Sequence, residues 1–387
     1  MPVIDVPQPE YMDDEEISMF HDAVGKFYDR HAPEKRVLKW REDGQVERDF
    51  WREAGAAGLL GVSVPEEYGG HGGDFRHDMV VVNQQANKGV EGFAASLHNV
   101  IILPYLVRHG TEEQKKKWLP RLVSGDLASA IAMSEPAVGS DLQNITTTAL
   151  KDGNGYKING SKTFISNGQN ADFIIVVAKT DPSEGHKGIS LICLETEGAE
   201  GFQRGKKLDK IGLDAQDTSE LFFDDVFVPA DNVLGGVEGK GFYQLMGELP
   251  QERLLIAIQA MITIEKALET TVEYVKQRKA FGKTIWDFQN TQFTLADLKA
   301  RGTAAKVFVN DCTAKLLDGK LDVTTASIAK YWVTELQGEV VDKCLQLHGG
   351  WGYINDYPIA RMFRDSRVSR IYGGSNEIMK MLIARSM

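Results

Sequence analysis

The 387-residue chain is 42% hydrophobic and carries a net charge of −11. That length exceeds one ordinary core and predicts two or three domains, and the acidic surface excludes nucleic acid and anionic membranes, whose phosphates would repel it. Three scattered cysteines, Cys193, Cys312 and Cys344, exclude a disulfide framework or a cysteine zinc site and suit a reducing compartment. Met1 to Asp5 has no basic region followed by an apolar run, and Asp13, Asp14, Glu15 and Glu16 argue against a transit peptide. No stretch approaches the roughly 18 uncharged apolar residues of a membrane span. The expected location is the cytoplasm, or the mitochondrial matrix for a processed eukaryotic form.

In chain order, residues from about Glu10 to about Gly125 carry a helical period. Phe20, Val24 and Phe27 recur at helical steps, as do Phe50, Ala54 and Ala57. Gly69-Gly70-His71-Gly72-Gly73 interrupts the pattern; lacking the Lys-Ser/Thr ending of a phosphate-binding loop, it reads as a flexible connector. Val100 to Val107 is an apolar, buried run, and Thr111-Glu112-Glu113-Gln114 has the form of a capped helix start. From about Ser129 to about Val233 the period changes. Gly155 to Gly160, Phe173 to Ala178, Ile189 to Leu194 and Glu220 to Phe223 are short and β-rich, separated by turns such as Asp152-Gly153-Asn154-Gly155. They predict an antiparallel sheet, a small barrel or sandwich. Beyond Gly241, four helical patterns at about 242–277, 287–317, 322–348 and 374–385 predict an up-down bundle. The fold class is multidomain α+β: an N-terminal α-helical domain over 1–128, a middle antiparallel β domain over 129–235 and a C-terminal four-helix bundle over 236–387.

Three segments stand out. Leu249-Pro250-Gln251-Glu252-Arg253 opens a helix whose Ile264, Leu268, Val272 and Val275 share one face and which Gly282 stops; Pro250 suits a first turn, where its missing N–H is no loss. At about 1.5 Å per residue, Glu252 and Arg278 lie roughly 40 Å apart, so Arg278 and Phe281 would serve a different site, in a neighbouring subunit. Ala132-Met133-Ser134-Glu135-Pro136-Ala137-Val138-Gly139-Ser140-Asp141 joins a strand-like entry to a turn whose main-chain N–H groups suit an anion or a ring carbonyl, or simply connects strands. Gln346 to Tyr353 includes Gly349, Gly350 and Gly352 directly after a helix, a backbone that turns sharply or is approached closely. It lacks the glycine order and preceding strand of a dinucleotide fingerprint. His348, with no second ligand at metal spacing, reads as packing, so no metal site is expected.

Together these segments resemble the acyl-CoA dehydrogenase family essentially end to end. Met133-Ser134-Glu135-Pro136 with Gly139-Ser140-Asp141 is similar to that family's first flavin motif, and Lys162 to Gly168 to its second, with Phe164 where tryptophan is common. Gln277 to Lys283 and Gln346 to Gly352 resemble the segments that reach the FAD of an adjacent subunit, and Ile371 to Glu377 the loop beside the flavin. The resemblance implies flavin contacts from Ile131, Met133, Ser134, Gly139 and Ser140, and from Phe164, Ile165 and Ser166. It implies further contacts from Arg278, Phe281, Gln289, Gln346, Gly349 and Gly350, and from Ser375, Asn376 and Glu377. On the substrate side it implies Ser140, Tyr243, Pro250, Gln251, Arg253, Gly373 and Gly374. Two departures, Ala137-Val138 for the usual Gly-Ala and Asn144 for Gly, bear on flavin affinity.

The resemblance also implies FAD as cofactor, an acyl-CoA thioester as substrate, an electron-transfer flavoprotein as acceptor and a homotetramer. The reaction is α,β-dehydrogenation: a carboxylate takes the α-proton while the β-hydrogen leaves as hydride to flavin N5. An α-C–H is a very weak acid, so donors must hold the thioester oxygen where enolate charge develops, and the base needs a dry site that raises its pKa. Many members carry the base directly after the tyrosine of the flavin loop, but this chain has Tyr372-Gly373-Gly374 there. The long-chain and isovaleryl types carry it on the helix near Leu249, where this chain has Glu252. Both segments are similar to the long-chain type. Glu252 is therefore assigned as base, with the Gly373 N–H and the ribityl 2′-OH of FAD as thioester-oxygen donors. The rival carboxylate is Glu377, and a plain first-turn role favoured by the helix dipole is the alternative for Glu252. Arg253 orients base or substrate, or pairs with a surface acid.

The expected substrates are medium-to-long or methyl-branched acyl chains, with terpenoid chains open. Small residues Ala94, Ala95 and Ser96 suit a deep cavity or close helix packing. An oxygen-reacting flavoenzyme on the same fold and a non-catalytic relative are the competing functions.

Overall fold

The computed structural model describes residues 2–387, which divide into two compact units. One comprises Glu16–Lys210 and Asp214–Glu248. Its helices are α1 (Glu15–His31), α2 (Glu34–Asp43), α3 (Arg48–Ala56), α4 (Phe75–Asn87), α5 (Leu103–His109) and α6 (Glu112–Val123). The predicted apolar faces turn inward: Val24 and Phe27 of α1 and Phe50 and Ala54 of α3 are buried. The expected start of α6 is a reciprocal cap, with the Thr111 hydroxyl accepting from Gln114 N at 3.3 Å and the Gln114 side chain accepting from Thr111 N at 3.0 Å. The apolar run near Val100 is a π-helical segment, Leu97–Ile102, that continues into α5.

The same unit holds a seven-stranded sheet of β1 (Ser129–Ala132), β2 (Thr148–Asp152), β3 (Gly155–Ser166), β4 (Phe173–Lys179), β5 (Ile189–Glu195), β6 (Phe202–Lys207) and β7 (Thr218–Pro229). The order is β1-β4-β2-β3-β7-β6, with β5 also on β4. Antiparallel pairing prevails, as expected, but β1 runs parallel to β4 from Ser129↔Phe173 to Ala132↔Val176. The cause is local. Asp172 takes the Ala128 N–H on its carboxylate at 3.0 Å, and the Asp172 and Phe173 N–H groups both donate to Ala128 O, which sets the two strand starts side by side. Strand β4 is buried from Phe173 to Ala178, so it accepts neighbours in either direction.

The other unit comprises Leu249–Met387, Ile211–Leu213 and the N-terminal residues up to Glu15. It contains most of α7 (Gly241–Gln277), a hairpin of β8 (Lys279–Ala280) and β9 (Lys283–Thr284), then α8 (Gln289–Leu317), α9 (Val323–His348), α10 (Pro358–Ser366) and α11 (Asn376–Ala384). Ile264, Leu268 and Val275 of α7, Leu298 and Ala305 of α8 and Val333, Val340 and Cys344 of α9 form its buried interior. Two expectations are corrected. Pro250 does not begin a helix: α7 starts at Gly241 and carries Pro250 in its interior, where a proline leaves the carbonyl four residues back without its helical donor. And α10 occupies a stretch to which periodicity assigned nothing. Among the described residues no helix is long and apolar enough to cross a membrane.

Candidate active site

Glu252 lies in the interior of α7, and only 6% of its surface is exposed. Arg253 beside it is also buried. One turn on, Ile256 meets the loop before α11: a Cβ added to Gly373 would stand 2.3 Å from Ile256 Cδ1, and one added to Gly374 would stand 4.0 Å from Arg253 Nη2. The Gly373-Gly374 backbone therefore lies against the stretch of α7 that presents Glu252 and Arg253. Gly373 and Gly374 have φ of +65° and +87°, which glycine adopts freely and side-chain-bearing residues rarely do.

Burial lowers the Arg253 pKa, and the adjacent Glu252 charge opposes the shift. Arg253 Nη1 reaches Ser327 Oγ at 3.4 Å, while Nε is buried without a hydrogen-bond partner. Glu377 sits in the first turn of α11 and is exposed. Its own backbone N–H and the Ser375 hydroxyl hold its carboxyl below the usual range, the opposite of what a base in a dry site needs.

In the β-sheet unit, the stretch after β1 is built around a buried ion pair. Glu135 and Val138 close a tight turn through mutual backbone hydrogen bonds at 2.8 and 3.0 Å. The Glu135 carboxylate accepts from Thr146 N and Oγ1 at 2.7 Å, from Thr147 N at 2.9 Å and from Lys162 Nζ at 3.0 Å. Lys162 Nζ also donates to Met133 O at 2.9 Å, and Thr163 N to Ser134 O at 2.9 Å. Burial alone would raise the Glu135 pKa, but the Lys162 charge and the threonine hydrogen bonds outweigh it and hold it at about 2.

This frame leaves Met133 and Ser134 partly exposed and Gly139 and Ser140 exposed. In β3, a register shift between Lys162 and Ile165 leaves Phe164 at φ +59° with its ring 68% exposed. Ile165, expected at the flavin, is instead buried in the sheet core at 2% exposure and pairs with Ser219 of β7. Tyr243 is half-exposed and packs near Phe242 and His186.

At the far end of α7, Tyr274, Arg278, Gln346, Gly349 and Gly350 line an open cavity of ≈ 690 Å³. A Cβ added at Gly349 or Gly350 would meet nothing within 4 Å, so this backbone is open to close approach. Phe281 projects beyond it, 95% exposed at φ +53°. Gln289 is exposed at the start of α8. His348 stacks on Tyr274 at 4.3 Å, and its Nδ1 contacts Cys344 O.

Family models for the acyl-CoA dehydrogenase N-terminal, middle and C-terminal domains match residues 14–126, 130–226 and 239–387. The chain belongs to the acyl-CoA dehydrogenase family. It is 48% identical over 375 residues to a protein named long-chain specific acyl-CoA dehydrogenase, mitochondrial, from Sus scrofa, covering 96% of this chain and 86% of that one. It superposes with a TM-score of 0.95, at 47% identity, on the crystal structure of an acyl-CoA dehydrogenase from Geobacillus kaustophilus, covering 98% and 99% of the two chains. A glutaryl-CoA dehydrogenase from Mycobacterium smegmatis, solved in complex with FADH2, superposes at TM-score 0.89 with 26% identity, covering 100% and 97%.

Acyl-CoA dehydrogenases are FAD-dependent oxidoreductases, and so is this one. Its residues fit that cofactor. Gly139, Gly349 and Gly350 leave open space beside the backbone, and Phe164 and Phe281 hold exposed aromatic rings in left-handed backbone conformations, a strain characteristic of ligand and partner sites. One expected cofactor residue faces elsewhere: Asn376 is buried, and its side chain bonds Thr334 and Glu335 of α9. Sequence reading placed Lys162 at the head of the second flavin motif without a role of its own and gave Lys330 none; neither lysine is exposed to solvent. Each sits in a strand or helix pattern that looks complete without it, and the only local signal is a cation among apolar neighbours, as in Ser327-Ile328-Ala329-Lys330-Tyr331-Trp332-Val333.

Proposed function

We propose that this acyl-CoA dehydrogenase oxidises long straight-chain acyl-CoA thioesters to trans-2-enoyl-CoA, with Glu252 taking the α-proton. The observation that carries this reading is the burial of Glu252 on α7, in the stretch whose Arg253 and Ile256 approach a loop that has glycines where many family members have their base, while Glu377 is exposed and held ionised. The long-chain assignment rests on likeness to the Sus scrofa protein of that name. FAD, which Gly139, Phe164, Gly349 and Gly350 would help to hold, would supply the hydride acceptor and a hydroxyl donor for the thioester oxygen. The chain's own parts do the rest. The Gly373 N–H donates to the thioester oxygen and stabilises enolate charge, and Arg253 orients the base or the thioester. Glu252 takes the proton from a buried position on α7. Ser140 and Tyr243 line the substrate side. Electrons leave to an electron-transfer flavoprotein.

The test is anaerobic titration of the yellow enzyme with straight-chain acyl-CoAs of increasing length. Bleaching that is most complete with long chains is expected; bleaching only by short or branched thioesters would overturn the chain-length assignment.

The cavity at Arg278 is assigned to the FAD of an adjacent subunit in a homotetramer. Arg278→Ala is expected to release FAD more readily on dilution and to shift the assembly toward smaller species in sedimentation, both at once. FAD loss without any change in assembly would place Arg278 at its own subunit's cofactor instead.

A further inference from the structure

We infer that Lys330 is a positioning residue for the reaction: from α9 it clamps the Gly373-Gly374 loop and so aims the Gly373 N–H at the thioester oxygen. The inference rests on the proposed role of that N–H.

The Lys330 side chain is fully buried in the first third of α9. Its ammonium donates to Gly374 O at 2.8 Å and to Asn376 Oδ1 at 2.8 Å, so one hydrogen bond ends on the loop and the other on the first residue of α11, where the loop ends. Asn376 is held in turn by Thr334 Oγ1 at 3.0 Å and Glu335 Oε1 at 2.7 Å, and Thr334 Oγ1 donates to Lys330 O at 2.8 Å. One turn of α9 thus fixes the main chain at Gly374 and the side chain at Asn376, bracketing Ser375.

Such a clamp answers a specific problem. Two consecutive glycines in left-handed conformations form the least restrained backbone the chain can make, yet an oxyanion donor acts only when held in place before charge develops. Burying an ammonium is costly where an apolar residue of similar length would fill the space. The site bears that cost beside a second buried cation: burial first, and then the Arg253 charge, lower the Lys330 pKa to about 8. Packing alone gives no reason for a lysine here; the two oxygen acceptors, on the loop and at its junction with α11, do.

The test uses Lys330→Met holoenzyme, which keeps the side-chain length and removes the donor. Lys330→Gln retains a donor, and Thr334→Val loosens Asn376 while leaving the Lys330 ammonium and its bond to Gly374 O in place. Two quantities are read: anaerobic flavin reduction at saturating acyl-CoA, and the long-wavelength band formed with a non-oxidisable thioester carrying sulfur in place of the β-methylene, which reports enolate formation next to oxidised flavin. Lys330→Met is expected to keep its FAD and its KM, to lose about ten- to a hundredfold in reduction rate, and to weaken the band. Lys330→Gln is expected to recover part of both, and Thr334→Val to lose less than Lys330→Met. A folded Lys330→Met enzyme with wild-type rate and band overturns the proposal. If Lys330→Met does not fold, wild-type rates and bands in both other variants overturn it. Should wild-type enzyme neither bleach with acyl-CoA nor form the band, the functional reading fails and takes this proposal with it; a wild-type response that Lys330→Met shares condemns the clamp alone.

Discussion

Glu252→Gln is expected to hold its FAD and bind acyl-CoA while flavin reduction slows by several powers of ten. The amide is isosteric and preserves packing in a position only 6% exposed, but it cannot take a proton, so the loss falls on the chemical step and leaves binding intact. Rapid anaerobic mixing with a saturating thioester reads the rate directly. Glu377→Gln serves as the counterpart and should reduce at nearly the wild-type rate, since that carboxylate is exposed and ionised in the first turn of α11. Near-normal reduction in Glu252→Gln with a collapse in Glu377→Gln would reverse the assignment.

Lys162→Met is expected to be the most damaging substitution for the fold. It strands the buried Glu135 carboxylate without its cation, and breaking one side of a buried pair costs about 3–5 kcal/mol. The same change frees Met133 O, so FAD should be released along with the loss of thermal stability. Adding Glu135→Gln to Lys162→Met should restore part of that stability, because no buried charge then remains. A single Lys162→Met variant with wild-type melting and FAD retention would show that the pair contributes nothing. The pH dependence has a definite sign. Glu135 is held at about 2 in the folded protein, below its ordinary value of about 4.3. Its contribution is therefore fully present above that ordinary value and is lost as pH falls toward about 2. Glu135→Gln should flatten this part of the acid limb in melts taken across that range.

What was legible in the chain follows from where each signal resides. The order helical, strand-rich, helical was readable from period alone, because Val24, Phe27 and Phe50 or Ile264, Leu268 and Val275 announce their faces within a few residues. The cap at Thr111 was readable because both partners lie in one four-residue stretch. Strand direction was not: Phe173 to Ala178 is apolar throughout, and such a run is the same in a parallel or an antiparallel pair. Helix α10 was missed because it is short and rich in charge, with only Ile359 and Ala360 among its apolar residues buried. Pro250 misled because a proline marks a helix start more often than an interior. Glu252 itself was nameable only through family resemblance; by spacing alone it is a carboxylate near a proline. The lysines were invisible for a different reason. Lys330 meets Gly374, 44 positions later, and Lys162 meets Glu135, 27 positions earlier. A local pattern carries no trace of a partner at that distance.

The most direct test of the central claim is a single-turnover product balance. The wild-type holoenzyme is mixed anaerobically with substoichiometric long-chain acyl-CoA, flavin bleaching is read, and the quenched mixture is analysed for thioesters. One trans-2-enoyl-CoA is expected for each flavin bleached. Bleaching without enoyl-CoA, or enoyl-CoA formed while the flavin stays oxidised, would contradict it.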